Sequence, residues 1–96
     1  MISIGKSPKT LREELGGRTK KQRLIHNLSR ESLSEKSGVP VPTIRKFENT
    51  GEISLKSFIA LLQSLDRIDE IENLMLIKEP QNLSELKNRK RQRGHK

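Results

Sequence analysis

The stretch Gly38-Val-Pro-Val-Pro-Thr-Ile-Arg-Lys-Phe-Glu-Asn-Thr-Gly51 decides the fold. It holds two prolines, yet its apolar residues Ile44 and Phe47 stand three apart, which is helical spacing. Proline is tolerated in the first turn of a helix because the N–H groups there have no intrahelical acceptor. The stretch therefore predicts a short helix from Pro40 to Asn49 with a buried apolar stripe. Its outward face would carry Pro42, Arg45, Lys46 and Asn49.

The residues before this stretch predict a longer first helix. It would cover residues 11–26, and either Ser7-Pro8 or Thr10 could start it. Its thin apolar face would consist of Leu11, Leu15 and then Leu24 or Ile25. Gly16-Gly17 is expected to bend or break it, because each glycine costs up to about 1 kcal/mol relative to alanine. Residues 1–14 would then be an N-terminal arm or an extension of this helix.

Three more helices complete the pattern. Residues 28–37 form one, with Ser29 as its N-cap and Gly38 after its end. Residues 55–65 form a strongly amphipathic helix, and a fifth runs from residue 68 to about residue 76. Nothing in the sequence indicates a strand or an internal repeat. The prediction is an all-α fold, with five short helices around one small core.

The composition limits the classes of function. Of 96 residues, 33% are charged and 30% hydrophobic, so the core must be small. The absence of Cys excludes disulfides and thiolate metal sites, and with no Trp or Tyr there is no platform for stacking single-stranded bases. No apolar run approaches the ~20 residues of a membrane span, and the N-terminus lacks the apolar region of a signal peptide. We expect a soluble cytoplasmic protein.

The net charge of +8 favours a polyanionic partner, nucleic acid first and an anionic membrane surface second. Residues 1–48 carry 11 Lys or Arg against 5 acids, residues 49–79 carry 3 against 6, and residues 80–96 carry 6 against 1. Such runs are also typical of ordinary solvated faces. The last segment has almost nothing to bury and is expected to be a basic, disordered tail.

The sequence has few residues in arrangements that are typical of catalytic sites. His26 and His95 lie at a helix end and in the tail, and Asp66 and Asp69 are better explained as acids near a helix start. No serine lies in a nucleophile-elbow context, and the glycines form no phosphate loop. We therefore predict no enzyme, no metal site, no cofactor and no small-molecule substrate.

Several short motifs follow one another along the chain. The first set is Leu28-Ser-x-x-x-Leu33, Lys36-Ser-Gly-Val39, Thr43-Ile44 and Phe47-Glu48. It resembles the helix-turn-helix of the Cro/repressor (Xre-type) DNA-binding family. A second set is Lys46-Phe-Glu-x-Thr-Gly-x-Ile-Ser-Leu55, Leu65-Asp-Arg-x-Asp69, and Glu79-Pro followed by Ser84-x-Leu86 and a basic tail. It resembles the HipB-type regulators encoded beside HipA-type kinase toxins, over roughly residues 15–96.

The resemblance implies a compact lambda-repressor-like domain over residues 15–79, followed by the tail at 80–96. Its recognition helix, residues 40–49, would enter the major groove by its N-terminal end. Base edges would be faced by Val41, Pro42, Thr43, Arg45 and Lys46. The first two can make only apolar contacts, such as with thymine methyl groups, whereas the two cations could reach guanine acceptors. Val41 and Pro42 would also fit a role that merely turns the chain.

The resemblance also implies contacts that position the protein without reading sequence. Phosphates would be held by Arg30, Asn49, Thr50 and Lys56, each of which fits an ordinary solvated surface residue as well. A structural ion pair is implied between Arg23 of the first helix and Glu48 of the recognition helix. Thr19 and Gln22 depart from the family, in which that face of the first helix is usually apolar.

A dimer is expected, because one recognition helix covers only a few base pairs. Leu74-Met-Leu-Ile77 places four apolar residues in a row, more than one helix face can bury. The predicted interface consists of Ile68, Ile71, Leu74, Met75 and Ile77. The alternative is that this helix packs only within its own monomer.

The leading hypothesis is a repressor of a HipA-type toxin–antitoxin operon that binds a pseudo-palindromic operator as a dimer. Its partners would be double-stranded DNA and a HipA-like toxin kinase or its partner subunit, in the bacterial cytoplasm and at the nucleoid when bound. One alternative is an antitoxin module that acts mainly by binding the toxin. Others are a phage-type repressor without a toxin partner and a basic RNA-binding protein, the latter disfavoured by the lack of aromatic residues.

Overall fold

The computed structural model describes residues 5–77, and every regular element in this range is a helix. The helices are α1 (Pro8–Ile25), α2 (Arg30–Ser37), α3 (Val41–Thr50), α4 (Leu55–Ser64) and α5 (Ile68–Glu72). The all-α fold of five helices predicted from the sequence is confirmed. The predicted basic tail at 80–96 lies outside the described residues.

Helix α1 begins earlier than the predicted residue 11 and runs without a break. Ser7 is its N-cap, since the Ser7 hydroxyl accepts a hydrogen bond from the Thr10 N–H at 3.1 Å, and Pro8 is its first residue. Lys6 also holds the chain onto the helix through an ion pair with Glu14 at 2.7 Å. The hydrogen bond from the Lys6 ammonium keeps the pKa of Glu14 below its ordinary value. The break expected at the two glycines is absent, and Gly16 is buried where α1 packs against α3.

The predicted apolar face of α1 is wrong. Its members Leu11, Leu15, Leu24 and Ile25 are all exposed. The residues that α1 buries are Gly16, Thr19 and Arg23. This helix therefore joins the domain through a close backbone approach and polar contacts rather than through a stripe of leucines.

The core is built by α2, α3 and α4. Its buried members are Leu33, Val39, Ile44, Phe47, Leu61 and Leu65, with Leu28, Ile53, Phe58 and Ala60 packed against them. The rings of Phe47 and Phe58 meet edge to face with centroids 5.5 Å apart, a favoured aromatic arrangement. Ile44 and Phe47 are thus buried as their spacing predicted, and they fix which face of α3 turns outward.

Glycines set the distance between α1 and α3 at two points. A Cβ added at Gly16 would lie 2.2 Å from the Phe47 carbonyl oxygen. A Cβ added at Gly51, which follows α3, would lie 2.4 Å from the Arg12 carbonyl group. Only glycine permits so close an approach of two backbones, so α1 rests directly on the C-terminal half of α3.

The connection from α2 to α3 matches its sequence prediction. The Ser29 hydroxyl accepts from the Ser32 N–H at 3.0 Å and caps α2. Gly38 ends that helix in the left-handed conformation, with φ of 80°. Pro40 is the N-cap of α3 and Pro42 its second residue, so both prolines occupy positions where no backbone donor is missed.

Helix α5 is shorter than predicted, because it ends at Glu72 rather than near residue 76. At this end the Asp69 carbonyl accepts two hydrogen bonds from Asn73, one from its side chain at 2.7 Å and one from its backbone N–H at 3.1 Å. Met75 then adopts a left-handed backbone conformation with φ of 60°. Residues 74–77 therefore leave the helix instead of extending its apolar face.

Candidate nucleic-acid interface

Helix α3 presents a polar and cationic face opposite its buried stripe. Along this face Pro42, Arg45, Lys46 and Asn49 are exposed, while Val41 and Thr43 are partly exposed at the start of the helix. Arg45 has no ion pair within residues 5–77, so its guanidinium is free to bind a partner. The five predicted base-facing residues thus share one accessible end of one helix.

A shallow groove adjoins this end of α3. It has a volume of about 450 Å³ and is lined by Pro42, Thr43, Lys46, Glu52, Ile53 and Ser54. In it the Lys46 ammonium lies 3.3 Å from a Glu52 carboxylate oxygen, with both side chains well exposed. One of the two predicted base-contacting cations is therefore already paired within the protein.

The predicted Arg23–Glu48 ion pair is present and is almost completely buried from solvent. Arg23 Nε and Nη2 donate to the two oxygens of Glu48 at 2.7 and 3.0 Å, and the side chains are 7% and 0% exposed. Arg23 Nη1 also donates to the Leu28 carbonyl at 2.9 Å. Because Glu48 is on α3 and Arg23 on α1, this bidentate pair fixes α3 against α1.

Arg30 forms a third part of this cluster, which the sequence did not predict. Its Nε donates to Glu48 Oε1 at 3.0 Å, and its side chain is 26% exposed. Two guanidinium groups thus face one carboxylate, so the cluster of Arg23, Arg30 and Glu48 has a net charge of +1. Arg30 is the member nearest to water, at the first position of α2. A phosphate there would meet both this excess charge and the N–H groups of the helix start.

The remaining predicted phosphate contacts differ in what they can offer. Lys56 is exposed in the first turn of α4 and has no ion pair within the described range. Asn49 is exposed near the end of α3. Thr50 is exposed too, but its hydroxyl donates to the Lys46 carbonyl at 2.7 Å and accepts from the Glu52 N–H at 3.1 Å. While that bond persists, Thr50 has no hydroxyl proton for a phosphate.

The predicted dimer residues do not form one helix face. Ile68 and Ile71 lie in α5 and are partly buried, whereas Leu74, Met75 and Ile77 follow the helix and are exposed. Met75 is 87% exposed. Beside them, α1, α4 and α5 enclose a mainly apolar groove of about 380 Å³, whose lining includes Leu15, Phe58, Leu62, Ile71 and Leu74. A run of exposed apolar side chains thus continues from a groove.

Two features of the site had no local signal in the sequence. Arg30 and Glu48 are 18 residues apart, and Lys46 and Glu52 lie on opposite sides of Gly51. Neither pair has the three- or four-residue spacing that marks neighbours on one helix. Both pairs arise from how α3 is set against α2 and against the loop before α4.

Within residues 5–77 the structure holds no group of three or more His, Cys, Asp or Glu that could bind a metal ion. None of the helices in this part of the chain is both long and apolar enough to cross a membrane.

Comparison with known proteins agrees with this geometry. Residues 20–72 match the model of a family described as helix-turn-helix, of the Cro/C1 type, and this is more than half of the chain. The matched range extends from the second half of α1 to the end of α5. A search among curated proteins finds no match. The narrower resemblance to HipB-type regulators stays a prediction.

Proposed function

Because the chain belongs to the helix-turn-helix family of DNA-binding transcription regulators, we propose that it is a sequence-specific repressor that reads its operator with α3. The observation that carries this proposal is the outward face of α3. The helix is held from behind by Phe47 and the Glu48 ion pair, and at its accessible end Arg45 has no ion pair within the part of the chain that the structure describes. Rigid support of this kind is what lets a few side chains discriminate between base edges.

Each residue has a proposed role in the complex. Arg45 and Lys46 donate to guanine acceptors, and Val41, Pro42 and Thr43 contact thymine methyl groups. Arg30 and Lys56 bind phosphates at the starts of α2 and α4, with Asn49 as a further contact. Thr50 instead stabilises the turn after α3, which is a change from the role implied by its position in the sequence.

The experiment compares binding to a labelled duplex taken from just upstream of the gene with binding to a scrambled duplex. The label is on the DNA because the protein has no Trp or Tyr. We expect a preference of about 10³ or more at near-physiological salt, the low end for specific binders. Equal, steeply salt-dependent binding to both duplexes would contradict a sequence-specific repressor.

Two variants distinguish a residue that contacts bases from a residue that contacts phosphates. Arg45→Ala should weaken binding to the upstream duplex by about 10- to 100-fold and leave the scrambled duplex nearly unaffected. Arg30→Ala should weaken both duplexes alike and reduce the dependence of log K on log salt by about 0.9. Lys36→Ala, which removes an exposed charge from the opposite end of α2, is the matched control. Wild-type affinity in both Arg variants would refute the docking arrangement.

The dimer is supported by the exposed run Leu74–Ile77 beside the groove of α1, α4 and α5. Two copies would place two α3 helices on a pseudo-palindromic operator. Met75→Glu introduces a charge at the most exposed apolar residue, and we expect it to shift sedimentation from dimer to monomer. Gln63→Glu, which adds the same charge at an exposed polar residue of α4, is the control. A wild-type protein that sediments as a monomer at all accessible concentrations would rule out this interface.

Membership of a HipA-type toxin–antitoxin operon rests on the resemblance of residues 46–55, 65–69 and 79–86 alone. The proposed partner is a HipA-like kinase or its partner subunit, and an antitoxin that acts mainly through this contact is the second candidate. Co-purification with the product of the neighbouring gene tests both, with a chain ending at Pro80 to ask whether the basic tail takes part. Failure of the full chain to retain that product would exclude the toxin partner.

A further inference from the structure

Glu52 is an acid in a surface that otherwise suits a polyanion. It lines the groove beside α3 together with Pro42 and Thr43, two of the proposed base-contacting residues. Its carboxylate lies 3.3 Å from the ammonium of Lys46. A carboxylate in this place opposes DNA binding by simple repulsion, so its position needs an explanation beyond solubility.

The backbone keeps Glu52 in place. The Thr50 hydroxyl links the Lys46 carbonyl to the Glu52 N–H, with bonds of 2.7 and 3.1 Å. Gly51 between them is buried against the backbone of Arg12 and is held in the left-handed conformation. Lys46 and Glu52 are therefore joined twice, once through the backbone by way of Thr50 and once through their side chains.

We propose that Glu52 is a specificity-determining residue that restrains Lys46. The inference rests on the proposed function, since it assumes that α3 faces DNA. A lysine ammonium has three donors, so Lys46 can keep Glu52 as one partner and offer another donor in a restricted direction. DNA with a base acceptor in that direction gains a contact. DNA without one gains less, because the ammonium must give up its contact with Glu52 to reach the nearest phosphate.

Removing the Glu52 carboxylate should therefore raise affinity for the scrambled duplex more than for the upstream duplex. In Glu52→Gln, Lys46 is free to neutralise a phosphate on any sequence, and one repulsive charge is lost. We expect affinity for the scrambled duplex to rise about 2- to 5-fold, with the salt dependence steeper by up to about 0.9. Affinity for the upstream duplex should rise by less, so that the preference between the two duplexes falls.

The matched control is Glu72→Gln, which removes the same charge from the exposed end of α5. It should raise affinity for both duplexes slightly and equally, and leave the preference unchanged. The restraint on Lys46 is isolated by a double-mutant cycle on the scrambled duplex. In a Lys46→Gln background, Glu52→Gln should change affinity no more than Glu72→Gln does.

The outcomes separate this proposal from the proposed function. If Glu52→Gln and Glu72→Gln behave alike in the wild-type background, the restraint does not exist, whatever the preference of the wild type. If the two duplexes bind equally, the repressor proposal fails and Glu52 determines no preference, whereas coupling in the cycle would still show that Glu52 restrains Lys46. A wild-type protein that binds neither duplex overturns both.

Discussion

Replacing Glu48 with alanine should lower the free energy of unfolding by about 3–5 kcal/mol. The reason is that the Glu48 side chain is completely buried and is, within residues 5–77, the only carboxylate paired with Arg23 and Arg30. Arg23 is itself almost buried and would be left as an uncompensated charge. Small domains are stable by only about 5–15 kcal/mol, so the variant should be close to unfolding. Urea denaturation followed by far-UV circular dichroism measures the loss.

The control is Glu52→Ala, which removes an acid from an exposed ion pair on the other side of Gly51. Exposed pairs contribute about 1 kcal/mol or less, so this variant should stay near the wild type. Equal losses of unfolding free energy in the two variants would mean that the buried cluster stabilises the protein no more than an exposed ion pair does. The result would also bear on DNA recognition, because Glu48 is the residue through which α1 and α2 hold the back of α3.

A double substitution distinguishes the net contribution of the ion pair to stability from the destabilisation caused by removing one partner. Arg23→Met with Glu48→Leu removes both charges and keeps similar volumes. Replacing a buried pair by apolar residues is often neutral or stabilising, so the double variant should be more stable than Glu48→Ala. Arg30 loses its acceptor but, at 26% exposed, can turn toward water. A double variant as unstable as the single one would show that the hydrogen-bonded geometry itself is required.

Local signals in the sequence were sufficient for most of the fold. Ser29 and Gly38 have cap roles that depend only on their own few neighbours, and the spacing of Ile44 and Phe47 defines which face of α3 is buried. The start of α3 could be predicted despite two prolines, because the physics of the first helical turn is also local.

Contacts between distant segments could not be predicted in the same way. The sequence alone makes Gly16 and Gly17 a weak point in α1, whereas in the structure Gly16 is where α1 meets α3. Tertiary packing overrides helix propensity at this point. The pairing of Arg30 with Glu48 likewise depends on the angle between α2 and α3, which no local pattern encodes. The predicted end of α5 is wrong, because the spacing of Ile68, Ile71, Leu74 and Met75 indicates a helix that continues to about residue 76, whereas in the structure it ends at Glu72.

The two neighbouring glycines of α1 should respond in opposite directions to the same substitution. Gly17→Ala meets no atom within 4 Å and improves helix propensity, so it should stabilise the protein by about 1 kcal/mol. Gly16→Ala would place its Cβ 2.2 Å from the Phe47 carbonyl oxygen, which is backbone and cannot rotate away. Overpacking of this kind costs about 1–3 kcal/mol, so the two variants should differ by about 2–4 kcal/mol in urea denaturation. Equal stability would contradict the close approach of α1 to α3.

A second pair of glycines tests the close contact between α1 and α3 at the end of α3. Gly38 and Gly51 both have φ of 80°, so alanine at either position carries the same left-handed strain. At Gly38 the added Cβ meets nothing within 4 Å, whereas at Gly51 it lies 2.4 Å from the Arg12 carbonyl group. The extra loss in Gly51→Ala relative to Gly38→Ala is therefore the cost of pushing α1 away from α3. If that difference is near zero while Gly16→Ala is destabilised, the helices touch at Gly16 alone, and α3 is free to tilt about that point.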